Sequence, residues 1–575
     1  MLKLDFNERS DYASEWLSKL ELDATELWHY PDRTELESII ATHYSNSEKA
    51  ILTEQNVFVS NGGDEAIFLL MRIIKESAKL ILPLPAFSQY TWGLSSWSLD
   101  NIQIPANSDL SLDINSLKQV ISKNKDSVVV ITSPNNPTGE GIASSELIEC
   151  LRLAKNNNSW VFLDEAYIEF SEQKSAINLL DQFDNLVILR TLSKAYGLAG
   201  IRLGYLIGGE ALLNEFKQRA IPFNVPAPSL AIAKAAFSDD AQKDMQNYTT
   251  KIKQNRNQLS QWLIDNEIQP INSEANFIFF KLDSLRAEMV KNALLKLDIS
   301  IRVFTESYLS GCLRITVPFQ LELLLTALSN ILTPKLLCFD MDGVLIDTSS
   351  SYDNAIKATV KEFTGQQVTD TAINDLRSQG GYNNDWVLTQ ALIAQIEKES
   401  QSLHSDSEVL VSPSIEKVTD CFQQFYLGDE SQPGFIRNEQ VLLSPITNQQ
   451  LQRFCIQNKT SLAIVTGRPR DEAMMGQKAI SQQHAEWLAA KVVSDNDVEK
   501  SKPAPEGILK LKTFFDTSAS WMFGDTPDDM QAAVNSGSVA IGIGNENRNS
   551  LIEAGADVVI NDINDLQRLI STSKI

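Results

Sequence analysis

The chain has 575 residues and a net charge of −24, and 43% of its residues are hydrophobic. Since a domain usually holds about 100–200 residues, this length predicts more than one globular domain. The acidic balance argues against nucleic acid or anionic membranes as partners, and no apolar run approaches the roughly 18 residues that cross a bilayer. The five cysteines form no CxxC pair and the first residues do not resemble a signal peptide, so we expect a cytoplasmic protein with reduced thiols.

The first 333 residues alternate apolar strand patterns with amphipathic helical patterns. Strands are predicted at 127–132, 160–163 and 186–190, with helical stretches between them. This alternation predicts an α/β domain with a mainly parallel sheet that helices cover. From about residue 239 to residue 332, long helical patterns and short strands predict a separate small subdomain.

Four motifs of this segment follow one another in chain order. A glycine turn opens a helix at NGGDEAIFLL, where the backbone N–H groups of Gly63 and Asp64 suit a phosphate dianion. A tight turn follows a strand at SPNNPTG, and Asp164 ends the strand of VFLDEAY, where α/β sheets bind ligands. Lys194 lies among small and apolar residues in TLSKAYGLAGIRLGY, surroundings that suit an amine acting as a nucleophile.

These ordered motifs resemble fold type I pyridoxal-phosphate (PLP) aminotransferases, which have a large parallel-sheet domain and a small domain. The resemblance implies that Lys194 binds PLP covalently and moves the substrate proton, and that Asp164 keeps the pyridine nitrogen protonated. It also implies hydrogen bonds to the ring oxygen, contacts to the phosphate and a ring stacked on the cofactor. Asn136 and Tyr167 would make the hydrogen bonds to the ring oxygen. The phosphate contacts would come from Gly63, Asp64, Ser193 and Arg202, and the stacked ring would be that of Phe87.

Further segments narrow the resemblance to histidinol-phosphate aminotransferases. They are YPD from Tyr30, PFNVP at 222–226, ANF at 275–277 and LRIT at 313–316. The resemblance implies that Tyr30 reaches PLP phosphate across a homodimer interface, while Arg314 and Arg302 bind substrate anions. Because FNERS at 6–10 and His29 depart from the family pattern, a threonine-phosphate decarboxylase or an aromatic amino-acid aminotransferase stays open.

The second half begins after Thr333-Pro334, which ends a predicted helix. Its motifs are LLCFDMD, LAIVTGR, KSKPAPEG and WMFGDTPDD, which together resemble the haloacid dehalogenase superfamily. We therefore predict an aminotransferase domain at 1–333 and a Rossmannoid phosphatase domain at 334–575. A helical cap is predicted at about 349–452, with residues 380–388 facing the substrate.

The second resemblance implies phosphate ester hydrolysis. Asp340 would attack phosphorus and Asp342 would act as acid and base, while Thr466 and Lys502 hold the phosphoryl oxygens. Mg²⁺ would bind the carboxylates of Asp340 and Asp525 and the main-chain carbonyl of Asp342. Asp529 or Asp528 would support the metal or Lys502.

Together the two halves suggest linked steps of histidine biosynthesis. Transamination with the glutamate/2-oxoglutarate pair would make histidinol phosphate, and the phosphatase would release histidinol. Alternatively, the aminotransferase acts on another amino acid and the phosphatase on small esters such as phosphoglycolate. A third hypothesis makes one domain non-catalytic, which the complete motifs of both halves disfavour. The expected partners are small molecules and a second copy of the chain.

Overall fold

The computed structural model describes residues 1–22, 27–48, 50–377, 382, 384–403, 413–429 and 432–571. Two compact units make up the chain: Met1–Leu282 with Asp298–Leu324, and Asp283–Leu297 with Leu325–Thr572. None of the described helices is long and apolar enough to cross a membrane.

A seven-stranded sheet forms the centre of the first unit. Its spatial order is Val57–Ser60, Gly204–Gly208, Leu186–Thr191, Trp160–Asp164, Ser127–Thr132, Lys79–Pro83 and Asn101–Ile104. Gly204–Gly208 runs in the direction opposite to the other six strands, so the predicted mainly parallel sheet is confirmed. The central strands are buried along their length, as expected when helices cover both faces.

Helices surround this sheet, and several begin at a side-chain cap. Asp113 accepts a hydrogen bond from the backbone N–H of Ser116, and Ser238 accepts one from Ala241, so each satisfies a donor that the first helical turn leaves free. The helices are Glu15–Ser18, Thr34–Glu48, Gly62–Ser77, Ser88–Trp97, Ile114–Lys123, Ser144–Asn156, Glu210–Lys217, Ala227–Ala235 and Asp239–Asp265.

A four-stranded sheet forms the smaller part of this unit. Its order is Leu2–Leu4, Ile299–Val303, Cys312–Thr316 and Phe277–Lys281. The first strand pairs parallel with the second, a partnership that the sequence analysis did not foresee. Three residues are too few to show strand periodicity, yet this pairing fixes the start of the chain beside Arg314.

The second unit contains a six-stranded, wholly parallel sheet. Its order is Lys491–Val493, Ser461–Val465, Leu336–Phe339, Ser520–Gly524, Val539–Ile543 and Val558–Ile560. The helices around it are Pro445–Asn458, Arg470–Gln483, Glu506–Phe514, Pro527–Ser536, Arg548–Glu553 and Leu566–Ile570. Glu322–Leu332 is the helix in which the chain passes from one unit to the next.

A helical insertion projects from this unit between two short strands. Ile346–Asp347 pairs antiparallel with Gln440–Val441, and the chain between them forms the cap. Its apolar side chains make a separate core around Tyr352, Phe422 and Tyr426. The cap helices are Tyr352–Thr364, Asp370–Arg377, Asp385–Leu403 and Ile415–Leu427.

The helix Ser284–Lys296 completes the second unit from an earlier part of the chain. Asn292 Nδ2 donates to the main-chain oxygen of Asp557 at 2.8 Å, and Lys296 Nζ lies 2.7 Å from the buried Asp557 carboxylate. Arg286 Nη1 donates to the Ser571 carbonyl at 2.9 Å. These contacts fasten the helix beside the last strand and the last helix of the unit.

Candidate active sites

Asp164 stands at the carboxyl end of a central strand of the first unit. The Tyr90 hydroxyl donates to its carboxylate at 2.8 Å, and the backbone N–H of Ala166 donates at 3.1 Å. Burial raises the pKa of Asp164 to about 6, although these hydrogen bonds act in the opposite direction. Such a carboxylate gains from a cationic partner, because a nearby positive charge would favour its ionised form.

Lys194 follows the next strand of the sheet, Leu186–Thr191. Its Nζ donates to the main-chain oxygen of Phe6 at 3.0 Å and lies 5.8 Å from the centre of the Tyr167 ring. The adjacent ends of two parallel strands therefore bring an amine and a buried carboxylate to the same edge of the sheet.

Amide and phenol groups form a network beside Lys194. Asn7 Nδ2 donates to the Tyr167 hydroxyl at 3.0 Å, and Asn136 Nδ2 does so at 3.4 Å. Arg314 Nη1 donates to Asn136 Oδ1 at 2.6 Å, and its Nη2 donates to the carbonyl of Asp5 at the same distance. Among the described residues, the buried Nε of Arg314 has no partner, so the guanidinium keeps a donor for a ligand.

Arg302 lies opposite Arg314 in the strand register, and it is exposed. Asn7, in the divergent FNERS segment, was not predicted from the sequence as a site residue. Its available signal was that FNERS occupies the place where the family it resembles usually has Asn-Glu-Asn-Pro.

The helix Gly62–Ser77 begins beside Arg202. Gly62 has a φ of +70°, and a Cβ there would lie 2.6 Å from Arg202 Nη2, so the close approach requires glycine. The guanidinium is paired with Asp64 at 2.6 Å. The sequence analysis selected Gly63 and Asp64 for this turn, whereas the left-handed backbone occurs at Gly62. A helix N-terminus with an arginine in front of it suits a phosphate group.

Ser193 is buried close to this turn. The Thr191 hydroxyl donates to Ser193 Oγ at 3.0 Å, and Thr191 pairs with Gly204 in the sheet. A Cβ on Gly204 would lie 2.7 Å from the carbonyl carbon of Gly62. The strand ends that carry Ser193 and Gly62 are therefore neighbours.

Two predicted aromatic residues differ in their placement. Phe87 is half-buried with its ring centre 6.3 Å from that of Tyr90, the residue that donates to Asp164. Tyr30 is 79% exposed and stacks on Phe223, with 4.5 Å between ring centres. Its contact across a homodimer interface stays a prediction.

A second cluster of charged side chains lies at the carboxyl edge of the six-stranded sheet. The carboxylates of Asp340, Asp525 and Asp529 have oxygens within 4.8 Å of one another. Lys502 Nζ lies 2.8 Å from Asp340 and 2.5 Å from Asp529. Burial raises the pKa of Asp340 to about 7, and it raises that of Asp525 well above its usual value. One ammonium for three carboxylates, of which Asp340 and Asp529 are buried and Asp525 is partly buried, leaves a site that suits a divalent cation.

Asp529 is held by the first turn of its own helix. It is fully buried and forms a capping box with Thr526 at the start of Pro527–Ser536. The sequence analysis left open whether Asp528 or Asp529 supports the metal or Lys502. The structure pairs Asp529 with Lys502.

Arg468 holds the second aspartate of the DMD motif. Its Nε donates to Asp342 Oδ1 at 2.8 Å, while its Nη2 donates to Glu439 Oε1 at 2.9 Å. Only 1% of the Arg468 side chain is exposed. This arginine closely follows Thr466 in the LAIVTGR motif, but no role was predicted for it from the sequence. Its position two residues after Thr466 was the available signal, whereas nothing local pointed to Glu439.

Backbone geometry brings the remaining predicted groups together. Gly343 has a φ of +70°, and a Cβ there would collide with the Asp525 carboxylate. Thr466 is buried at the end of Ser461–Val465, and its hydroxyl accepts a hydrogen bond from the Arg468 backbone at 3.1 Å. The loops after three adjacent strands thus meet around Asp340.

A cavity of about 350 Å³ lies between these loops and the cap. Of the predicted cap segment 380–388, residues Tyr382, Asn384, Asp385 and Trp386 line it. Residues 380, 381 and 383 lie outside the described part of the chain. The site is therefore open to a small molecule whose phosphoryl group reaches Asp340.

Comparisons with known families divide the chain in the same order. Residues 3–330 match the family described as aminotransferase class I and II, and residues 334–537 match haloacid dehalogenase-like hydrolase. Histidinol-phosphate aminotransferase of Haemophilus influenzae strain PittEE is 32% identical over 305 residues, which cover 52% of this chain and 84% of the relative. The enzyme of that name from Thermoanaerobacter sp. strain X514 is 33% identical over 264 residues, which cover 46% and 73%.

Solved structures agree on the fold of the first part. Histidinol-phosphate aminotransferase from Sinorhizobium meliloti, solved with pyridoxal-5'-phosphate, has a TM-score of 0.51 at 24% identity and covers 57% of this chain and 90% of its own. The Clostridium acetobutylicum enzyme of that name has a TM-score of 0.52 at 22% identity and covers 58% and 99%.

Proposed function

Since the chain belongs to the class I and II aminotransferases and continues into a haloacid dehalogenase-like hydrolase, we propose that one protein makes and then hydrolyses histidinol phosphate. Residues 1–333 would transfer the amino group of glutamate to imidazole-acetol phosphate, and residues 334–575 would release histidinol. The observation that supports this proposal most is the union of a haloacid dehalogenase-like hydrolase domain with a domain whose relatives are named for a phosphorylated product. The protein would act in the cytoplasm.

The first site fits PLP in the chemistry of its donors. A buried carboxylate, an amine and an amide–phenol pair face one edge of the sheet, and Gly62 leaves room in front of a helix N-terminus. PLP would supply an electron sink for the bond to the substrate Cα. Lys194, Asp164 and Tyr167 would hold its reactive carbon, pyridine nitrogen and ring oxygen. Ser193, Arg202 and the N–H groups near Gly63 and Asp64 would bind its phosphate, and Phe87 would stack on its ring.

The protein residues would then control the substrate and one proton. Arg314 carries a free Nε donor and would bind an anionic group of the substrate, with Arg302 as a second cation nearby. Lys194 would take the proton from the substrate Cα and return it to the cofactor carbon. Because Lys194 lies beside Asp164 and Tyr167, its single amine could reach both the substrate Cα and the cofactor carbon.

The second site fits Mg²⁺, because its carboxylate oxygens converge and one ammonium leaves them under-neutralised. Bound there by Asp340, Asp525 and the Asp342 carbonyl, Mg²⁺ would stabilise charge on the phosphoryl oxygens. An Asp340 oxygen would bond to phosphorus as the ester P–O bond breaks, and Asp342 would give its proton to the leaving alcohol oxygen. Asp342 would next take a proton from the water that releases phosphate and restores Asp340. Thr466 and Lys502 would hold the phosphoryl oxygens.

The deciding experiment measures phosphate release from imidazole-acetol phosphate, with PLP and Mg²⁺, in the presence and absence of glutamate. We expect release only with glutamate. Asp340→Asn should abolish release while 2-oxoglutarate still forms, and Lys194→Ala should abolish both products yet retain hydrolysis of added histidinol phosphate. Glutamate-independent release, or none with either substrate, would contradict the proposed sequence of reactions.

A further inference from the structure

The cavity above Asp340 is lined by many more carboxyl groups than cationic side chains. Among the described residues there are eight carboxyl groups and three cations. The carboxylates are Asp340, Asp342, Asp347, Asp353, Asp385, Glu472, Asp495 and Asp525, and the cations are Arg377, Arg468 and Lys502. A phosphate ester has to bind here, so the distribution of this charge matters.

The cations nearest the phosphoryl position are already engaged. Lys502 contacts Asp340 and Asp529, while Arg468 contacts Asp342 and Glu439. Together with the proposed Mg²⁺, these pairs account for the charge around the reacting phosphorus. Lys502 and Arg468 are therefore not available to pair with the other carboxylates of the cavity.

The cap side of the cavity keeps a surplus of negative charge. Arg377 Nη2 lies 3.0 Å from Asp353 and 2.8 Å from Asp385, so one guanidinium charge faces two carboxylates. Glu472 is buried; its carboxylate accepts hydrogen bonds from the Tyr352 hydroxyl and, at 2.6 Å, from Gln423 Nε2. Neither of these donors carries a charge, so carboxyl groups outnumber cations among the described residues on this side of the cavity.

Aromatic rings line the same wall. Tyr382 and Trp386 border the cavity together with Asp353 and Asp385, whereas the buried ring of Tyr352 already faces the Arg468 guanidinium. The face of an aromatic ring attracts cations through its quadrupole, and carboxylates attract them directly. Rings and carboxylates together are the pattern of a pocket for an ammonium or a protonated imidazole.

We infer that the cap selects phosphate monoesters whose alcohol carries a positive charge, and that it disfavours esters whose alcohol carries a carboxylate. The inference rests on the proposed phosphatase activity and specifies its substrate class. The surplus carboxylates of the cap wall would pair with the cation of the leaving alcohol while the phosphoryl group lies at Asp340. A carboxylate in the same place would meet Asp353, Asp385 and Glu472, and each cation that the described residues place in the cavity is already paired.

The test compares small phosphate esters that differ chiefly in the charge of the alcohol. Full-length protein with Mg²⁺ is given 2-aminoethyl phosphate, propyl phosphate and phosphoglycolate, and histidinol phosphate beside its N-acetyl derivative. We expect kcat/KM to fall at least about tenfold from 2-aminoethyl phosphate to propyl phosphate, to fall from histidinol phosphate to its less cationic N-acetyl derivative, and to be lowest for phosphoglycolate. Equal values, or a preference for phosphoglycolate, would overturn the inference.

Variants locate the effect in the cap. Asp385→Asn keeps the shape of the side chain and should raise KM for 2-aminoethyl phosphate about tenfold, with little change for propyl phosphate. Asp375→Asn, an exposed position on the helix of Arg377, is the matched control and should change neither. If Asp385→Asn weakens both esters equally, the residue has a structural role only and the inference is wrong.

Binding separates this inference from the proposed function. Asp340→Asn is titrated by calorimetry with each intact ester, so the affinity ratio is obtained without turnover. A cationic preference together with no hydrolysis of histidinol phosphate would support the inference while the proposed pathway step fails. Hydrolysis of histidinol phosphate with no charge preference in binding or turnover would support the proposed pathway step and overturn the inference.

Discussion

Two buried aspartates show how surroundings set the use of a carboxylate. Asp164 and Asp340 both stand directly at the end of a parallel strand, and burial raises the pKa of both. Asp164 receives hydrogen bonds from a phenol and an amide, whereas Asp340 is met by an ammonium and two further carboxylates. The first is suited to one cationic nitrogen and the second to a divalent ion.

The raised pKa of Asp164 makes the stability of the cofactor-free protein depend on pH. Its pKa is about 6 in the folded state, whereas an unperturbed aspartate, as in the unfolded chain, has a pKa of 3.8. Between these two pH values the folded state therefore holds a proton that the unfolded state has released. Stability should therefore fall as pH rises through this window, by about 1 kcal/mol from pH 5 to pH 7. Urea unfolding of wild type and Asp164→Asn, both without PLP, checks this: the difference between them should change with pH by that amount. A pH-independent difference would contradict it.

Arg468 is expected to position Asp342, the proposed acid and base of the second site. Arg468→Lys keeps one charge but cannot contact Asp342 and Glu439 with a planar fork, so kcat for phosphate esters should fall about tenfold to a hundredfold, with a smaller change in KM. The pH profile of kcat should also change, because proton transfer by Asp342 becomes less well aligned. Arg470→Lys, an exposed neighbour, is the control. An unchanged pH profile with lower protein stability would indicate a structural role alone.

At the scale of elements, the long and fully buried strands were predictable and the short ones were not. Ser127–Thr132 and Leu186–Thr191 can be recognised as strands from their apolar runs, because a strand covered on both faces is hydrophobic along most of its length. Leu2–Leu4 and the two-residue strands at the base of the cap depend on partners far along the chain. Motif order likewise located Lys194 and Asp340, while the contact of Arg468 with Glu439 required the folded cap.

The helix Ser284–Lys296 gives a prediction of its own. It lies in the stretch that matches the aminotransferase family, yet it packs within the second unit. Asn292→Ala would leave the Asp557 carbonyl without its donor and should destabilise this unit by about 1 kcal/mol. Phosphatase activity should then be lost faster on heating, while transaminase activity keeps its wild-type half-life. Lys291→Ala, which is exposed on the same helix, is the control; earlier loss of the transaminase would contradict the assignment.

At the scale of the whole molecule, the proposed homodimer predicts complementation between inactive subunits. If Tyr30 reaches the PLP phosphate of the partner subunit, a hybrid of Lys194→Ala and Tyr30→Ala subunits contains one intact site. Equal mixing after reversible dissociation should then restore about a quarter of wild-type transaminase activity, because half the dimers are hybrids with one working site each. No recovery, with hybrids verified by mass spectrometry, would place Tyr30 in the site of its own subunit.

The position of the helix Ser284–Lys296 in the chain also determines the order in which the two units can be completed during synthesis. Residues 283–297 leave the ribosome long before the strand Val558–Ile560 that they contact in the finished protein. At about 5–20 residues per second, the delay is on the order of tens of seconds. The first unit has all of its described strands once residue 316 has emerged, whereas the second waits for nearly the last residue. A nascent chain released early would thus carry a complete transaminase sheet and a helix still waiting for its partner strand.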